Sequence, residues 1–155
     1  MQPRMLKHQL SEAEIDDVLS RASIGHLSTV GPDGYPYVTP VHFVHKDGVI
    51  YIHGAIKGQR NNYIKENPKV SFAAALEEGL IDAPEPCDTN TRFKSVVVKG
   101  DASITNEKDT KLLVLDLIVK KYTPQHIGKT FPDEAMKITG ITAIKILAKT
   151  GKYYT

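Results

Sequence analysis

The segment from residue 51 to residue 60 carries the groups best suited to chemistry. Its sequence, Tyr-Ile-His-Gly-Ala-Ile-Lys-Gly-Gln-Arg, is typical of a strand end, a glycine-bracketed loop and a helix start. Free amides at a helix N-terminus attract an anion, and Lys57 and Arg60 add two positive charges at the same place. The segment predicts a phosphate site, with two solvated surface cations as the alternative.

His53 is the second candidate, because it ends a strand next to this loop. A histidine among apolar strand residues can donate a hydrogen bond to a ring carbonyl or to a substrate. The alternative is a half-buried histidine with a purely structural role. If residues 46–48 form a three-residue turn, His53 lies opposite Val41 and beside Thr39.

Other kinds of site find little support in the sequence. His42 and His45 lie three residues apart on one predicted strand, so they point to opposite faces and cannot share a metal ion. No HExxH, paired CxxC, GxSxG or nucleotide-binding glycine motif is present. Cys87 is the only cysteine, and its acidic neighbours disfavour a thiolate. We therefore expect no metal site and an inert thiol.

The composition indicates one ordinary globular domain, residues 1–155. Hydrophobic residues make up 41% of the chain and charged residues 25%, and the formal net charge is +2. This balance, with no tryptophan, argues against nucleic acid as a partner. No apolar run approaches the ~20 residues of a membrane span or the pattern of an export signal. We expect a cytoplasmic protein that does not bind membranes.

The candidate residues must be positioned by a mainly β fold with peripheral helices. Ser11 and Glu14 form a capping box that predicts a first helix. Alternating apolar residues predict six strands, at 25–30, 37–45, 49–53, 69–76, 93–105 and 141–148. Helices are predicted at 59–66 and 106–122, a long loop at 77–91 and a bulge at 99–100. Short strands that turn at glycines favour a closed antiparallel barrel. Pro40 belongs at an edge, at a bulge or at a place where a ligand replaces the ladder partner.

Several of these segments together resemble the pyridoxamine 5'-phosphate oxidase-like family of FMN-binding split barrels, nearest its nitroimidazole-resistance (Nim-type) branch. The resemblance covers about residues 20–105 and is carried by 24–29, 34–41, 51–55 and 58–60. It implies a six-stranded antiparallel split barrel and a homodimer, with FMN bound in a groove that both subunits share. It also implies an FMN-dependent oxidoreductase that takes electrons from a small-molecule donor and reduces a small acceptor, such as a nitroaromatic.

The resemblance further implies roles for individual cofactor-binding residues. The strand that runs along the flavin ring and ribityl chain is matched here by Thr39, Pro40, Val41 and His42. The segment that holds the FMN phosphate is matched by Lys57, Gln59 and Arg60. Ser95 matches a polar position that the partner subunit presents to the flavin.

His53 matches a histidine that faces the flavin and is implicated in activity, which makes it the candidate catalytic residue. Two departures argue against vitamin B6 oxidation. The oxidase has basic residues where Thr39 and Val44 stand, and it has a C-terminal tryptophan and arginine motif that this chain lacks. Two alternatives to an oxidoreductase stay open: a non-catalytic flavin carrier or sensor, and a split barrel that binds haem or deazaflavin.

Overall fold

The computed structural model describes residues 6–155. The first five residues of the predicted domain lie outside the described residues. The elements follow the chain in the order α1 (Glu12–Arg21), β1 (Gly25–Val30), β2 (Pro36–Val41), β3 (Val44–Lys46), β4 (Val49–Ala55), α2 (Gln59–Glu66), β5 (Lys69–Ile81), β6 (Asn90–Thr105), α3 (Lys108–Tyr122), α4 (Asp133–Ile138) and β7 (Thr139–Tyr154). Single 3-10 turns lie at Pro86–Asp88 and Pro124–His126.

The seven strands form one antiparallel sheet in the order β2-β1-β5-β6-β7-β4-β3. Its two edge strands, β2 and β3, are joined by only His42 and Phe43. The sheet must therefore curl until its edges nearly meet, which gives a barrel split along one side. We call residues 42–43 the seam. The split-barrel prediction is confirmed, and the strand count is seven where six strands were predicted.

The extra strand arises because the predicted strand 37–45 is broken at the seam. An unbroken strand would place Val44 on the same face as the exposed Val38, yet Phe43 and Val44 are both buried. β2 pairs with β1, whereas β3 pairs with β4, so the ladder has to stop between them. The Phe43 amide instead donates to the Tyr122 hydroxyl at 3.0 Å, far along the chain.

The turn before β4 also differs from the prediction. Asp47 and Gly48 both have positive φ, 50° and 74°, as in the two-residue type I′ hairpin that Asp-Gly favours. Val44 therefore pairs with Tyr51, and His53 pairs with Ile141 on β7. The predicted three-residue turn and the pairing of His53 with Val41 are wrong, because one residue of turn length shifts the whole register.

The β5–β6 hairpin is longer than predicted. A bulge between Glu77 and Leu80 shifts the register, and pairing then continues to Ile81 and Asn90. The predicted loop 77–91 is therefore reduced to residues 82–89. The predicted bulge at 99–100 is confirmed by the register shift between β6 and β7 at the same place.

Two apolar clusters hold the helices on the sheet. The main cluster fills the barrel and includes Ile15, Val18 and Leu19 of α1, whose capping box at Ser11 is formed as predicted. A second cluster packs α3 on β3 and β7, and consists of Val44, Val114, Ile118 and Ile141. Among residues 6–155, no helix combines the length and apolar character needed to cross a membrane.

Candidate active site

Arg60 lies in the first turn of α2, with its guanidinium against the backbone of Gly54 at the end of β4. A Cβ atom added to Gly54 would lie 2.9 Å from Arg60 Nη2, so the guanidinium occupies space that only glycine leaves open. Arg60 is half-buried, and this burial lowers its pKa while nearby Tyr37 raises it. Arginine still stays protonated at neutral pH. The β4–α2 junction therefore presents a partly desolvated cation.

Asn61 fixes the loop between β4 and α2, a role that the sequence reasoning missed. Its side chain is buried, and Nδ2 donates to the carbonyls of Ala55 at 2.8 Å and Ile56 at 2.9 Å. The loop backbone is thereby tied to the first turn of α2. One signal could have revealed this contact: Asn61 lies three residues before Ile64, on the face of α2 that packs inward.

His53 stands on β4 just before Gly54. It is half-buried, and within the described residues its Nδ1 atom is buried without a hydrogen-bond partner. Burial lowers the pKa of His53, and electrostatic interactions with His42 and Arg60 lower it further. The imidazole is therefore neutral at neutral pH, with one nitrogen as donor and the other as acceptor.

β2 brings Thr39 to this region, and Thr39 also has a buried polar atom without a partner in the described part of the chain. Thr39 is half-buried, and among residues 6–155 its Oγ1 atom is buried without a hydrogen-bond partner. Tyr37, two residues earlier on the same face, packs edge-to-face on Tyr63 of α2 with ring centroids 5.8 Å apart. This contact ties β2 to α2, the helix that carries Arg60.

Among residues 6–155, the side chains with a buried polar atom that lacks a hydrogen-bond partner include His8, His45 and Asn61 as well as three of the predicted site residues. Those three are Thr39, His53 and Arg60. Each comes from a different element, and each has a buried polar atom, Oγ1, Nδ1 and Nε respectively, that no other group in residues 6–155 satisfies. Buried polar atoms in folded proteins are almost always hydrogen-bonded. The arrangement is therefore suited to a polar, anionic ligand that supplies the missing partners.

The other residues of the predicted cofactor site lie around this region with different exposure. Pro40 and His42 are exposed, and β2 is an edge strand, which confirms the position predicted for Pro40. Val41 is buried in the barrel, so only its backbone can face a ligand. Lys57 and Gln59 are exposed, and the Gln59 amide donates to the Tyr63 hydroxyl.

Ser95 is not brought to this region within one chain. It lies on β6, where it pairs with Ala75 and Lys152. His53 pairs with Ile141, which in turn pairs with Thr105 on β6, ten residues beyond Ser95. Ten residues of extended strand span about 33 Å. A single subunit therefore does not combine Ser95 with His53.

His45 and His42 also lie in different surroundings. His45 is half-buried, and burial lowers its pKa, while Asp16 and Lys149 act on it from α1 and β7. His42 stacks on the Tyr122 ring with centroids 4.3 Å apart. Within residues 6–155, no three side chains of the metal-binding types are gathered into a possible metal site.

A cavity of about 760 Å³ lies away from all these residues, between α3 and the segment 128–137. Lys111, Leu112, Phe131 and Met136 are among the residues that line it. None of the predicted site residues lines this cavity. Its size alone does not make it a better candidate, because it lacks the unsatisfied buried polar atoms found around His53.

Comparison with known proteins identifies the family. Residues 11–152 match the family model described as pyridoxamine 5'-phosphate oxidase. The chain belongs to this family. The match extends over both halves of the split barrel, and the resemblance stated from the sequence is confirmed. A search of curated proteins gave no match.

Three solved structures with the same fold align with most of this chain. The flavocytochrome Anf3 from Azotobacter vinelandii is 20% identical over 100% of this chain and 72% of its own, with a TM-score of 0.85. An FAD- and haem-binding protein from Mycobacterium smegmatis is 19% identical over 94% of this chain and 73% of its own, with a TM-score of 0.83. A candidate 5-nitroimidazole antibiotic resistance protein from Bacteroides thetaiotaomicron is 20% identical over 94% and 86%, with a TM-score of 0.81. At these identities the likeness shows a shared fold.

Proposed function

We propose that this family member binds FMN between β2 and the β4–α2 junction and is an FMN-dependent oxidoreductase that reduces a small acceptor. One observation carries the proposal: the buried atoms Thr39 Oγ1, His53 Nδ1 and Arg60 Nε have no hydrogen-bond partner among residues 6–155. A flavin mononucleotide has a dianionic phosphate, a hydroxylated chain and a ring with polar edges, so it can satisfy a cation, a hydroxyl and an imidazole together. Cofactors of other members of the fold, named above, include a flavin.

The phosphate end belongs at the start of α2. Gly58 precedes this helix with φ of 154°, a conformation that favours glycine, and the first amides of the helix are free to point at an anion. Arg60 adds a planar, partly desolvated cation, and the exposed Lys57 adds a mobile charge. Asn61 holds the loop backbone in place through its bonds to Ala55 and Ile56.

The flavin ring and ribityl chain belong along β2. As an edge strand, β2 uses one side of its backbone to pair with β1 and leaves the other side available. Thr39 offers a hydroxyl there, and the exposed His42 lies at the end of the strand. Because the side chain of Val41 is buried in the barrel, it contributes backbone groups only.

His53 is proposed as the catalytic residue. Bound FMN would supply the electron transfer. The protein supplies position and charge: Arg60 and the α2 amides hold the anionic end, and His53 presents a neutral imidazole from β4. A neutral imidazole can donate or accept a proton near the reacting groups, which suits a reduction that consumes protons together with electrons.

A second copy of the chain is proposed as the partner that completes the site. Within one chain, ten residues of β6 separate Ser95 from Thr105, the position that lies level with His53. Ser95 would therefore come to the site from the second copy. Val97 and Leu147, on the neighbouring strands β6 and β7, are exposed apolar residues, 49% and 60% accessible. An interface between two copies at this face would bury both side chains. If two subunits form the groove together, a single chain contains only one of its walls.

The test is the visible absorption spectrum of the purified protein, before and after addition of FMN. We expect flavin bands and a dissociation constant that rises roughly 10- to 150-fold in Arg60→Ala, from the loss of charged hydrogen bonds worth about 1.5–3 kcal/mol. Arg21→Ala is the control, because Arg21 is an exposed cation paired with Asp17 on α1. A protein that neither carries flavin nor changes spectrum with FMN would refute the proposal.

The spectrum, a turnover assay and a titration with deazaflavin together separate the alternatives. A flavin carrier or sensor would bind FMN but would not oxidise any reduced donor in the presence of nitroaromatic or other small acceptors. A haem protein would show an intense Soret band. A deazaflavin protein would leave FMN unbound and take up the deazaflavin.

A further inference from the structure

We propose that Tyr122, at the C-terminal end of α3, is a positioning residue that sets His42 and the seam against the flavin site. The role rests on the proposed function, because it concerns the placement of groups around that site. No motif in the sequence singles out Tyr122, which lies 79 residues beyond Phe43.

The Tyr122 hydroxyl occupies the place where the ladder of the barrel is interrupted. It accepts a hydrogen bond from the Phe43 amide at 3.0 Å. It also lies 3.0 Å from the Phe43 carbonyl and 2.9 Å from the Ser23 carbonyl, and it donates its single proton to one of the two. Phe43 leads into β3, and Ser23 lies just before β1, so one hydroxyl lies within hydrogen-bonding distance of the backbone on both sides of the split.

The ring of Tyr122 has a second partner at the seam. It stacks on the imidazole of His42, with centroids 4.3 Å apart and planes inclined by 25°. His42 is exposed and directly follows Val41, the last residue of β2, the strand proposed to run along the flavin. The hydroxyl therefore orders the peptide next to His42, while the ring orders the imidazole itself.

Lys121 strengthens this arrangement from the preceding position of the helix. Its Nζ lies 3.9 Å from the centroid of the Phe43 ring and donates to the Leu19 carbonyl at 3.2 Å. Lys121 therefore holds the Phe43 ring and Tyr122 holds the Phe43 peptide. With Phe43 held in this way, His42 has little freedom to move independently of α3.

The experiment combines two substitutions with a matched control. Tyr122→Phe removes the hydroxyl and keeps a ring for stacking. Tyr51→Phe removes a hydroxyl from the same apolar cluster without touching the bonds of Phe43. His42→Ala changes an exposed side chain and leaves the Phe43 peptide bonded. For each variant we measure the FMN dissociation constant and, by NMR, hydrogen exchange at the Phe43 amide.

We expect Tyr122→Phe to raise the FMN dissociation constant about 3- to 10-fold, the range that one lost neutral hydrogen bond produces, and to speed exchange at Phe43. His42→Ala should weaken FMN binding without changing exchange at Phe43, and Tyr51→Phe should do neither. A positioning role predicts that Tyr122→Phe has no further effect on FMN binding once His42 is alanine. A purely structural role predicts the same loss in both backgrounds.

Three outcomes overturn the assignment. One is wild-type FMN affinity in Tyr122→Phe, whether or not exchange at Phe43 is faster, and another is the same loss of affinity whether or not His42 is present. The third, which holds even if Tyr122→Phe fails to fold, is wild-type affinity in His42→Ala. A wild-type protein that binds no FMN refutes the proposed function itself, a result distinct from these three.

Discussion

Replacing Gly54 by alanine tests the flavin site without removing any charged group. The new Cβ would lie 2.9 Å from Arg60 Nη2, whereas ordinary contact begins at 3.4 Å, so the guanidinium must retreat by at least 0.5 Å. Gly54 is not among the residues with positive φ, so alanine can adopt its backbone conformation. Because the atom that moves is the end of a flexible side chain, we expect the free energy of unfolding to change by less than about 1 kcal/mol.

The effect on FMN affinity should be larger than the effect on stability. A retreat of 0.5 Å lengthens a good hydrogen bond to the limit of useful distance. Losing most of one charge-assisted hydrogen bond costs about 1–2 kcal/mol, or roughly a 5- to 30-fold rise in the FMN dissociation constant. Fluorescence titration with FMN measures this constant, and thermal unfolding of the flavin-free protein measures the stability.

A double-mutant cycle decides whether Arg60 transmits the effect. In the Arg60→Ala background no guanidinium remains to be displaced, so Gly54→Ala should leave FMN affinity unchanged there. An equal loss of affinity in both backgrounds would mean that Gly54 acts through the β4 backbone. Unchanged affinity with Arg60 in place would refute the position assigned to the phosphate.

Three further predictions concern the core, a half-buried cation and the reaction. Gly25→Ala would place a Cβ 2.1 Å from Phe72 Cζ inside the barrel, and should lower the free energy of unfolding by at least about 1–3 kcal/mol in urea titrations. Burial lowers the pKa of Lys121 from 10.5 to about 8, so the unfolded state binds more protons between these values and the unfolding free energy should rise with pH across that window. Urea unfolding at several pH values should show that Lys121→Met loses this part of the rise while Lys120→Met, an exposed neighbour, keeps it. His53→Ala should retain FMN, seen in its spectrum, and turn over at least about tenfold more slowly; equal rates would leave His53 a packing role.

Local signals in the sequence predict several elements correctly. The capping box at Ser11 starts α1, and α2 spans Gln59–Glu66 as predicted. The glycine at position 100 coincides with the predicted bulge. These features depend on residues close together in the chain, whose preferences hold whatever the rest of the fold does.

The strand break at the seam depends on a contact between residues far apart in the chain. Alternating residue types run without interruption from 37 to 45 and predict one strand there. The break at Phe43 depends on a hydroxyl from α3 that replaces the missing ladder partner. No local pattern encodes this contact. The predicted strand was therefore too long, and the predicted number of strands was one too small.

The candidate site divides in the same way. Residue types and spacing in the segment 51–60 predict an anion site at Lys57 and Arg60, because a cation beside a helix start has the same electrostatic effect in any fold. Folding alone decided that the guanidinium rests on Gly54, that Asn61 ties down the loop, and that Ser95 lies far along β6. Those facts depend on strand register and on packing between distant segments, which a single sequence does not specify.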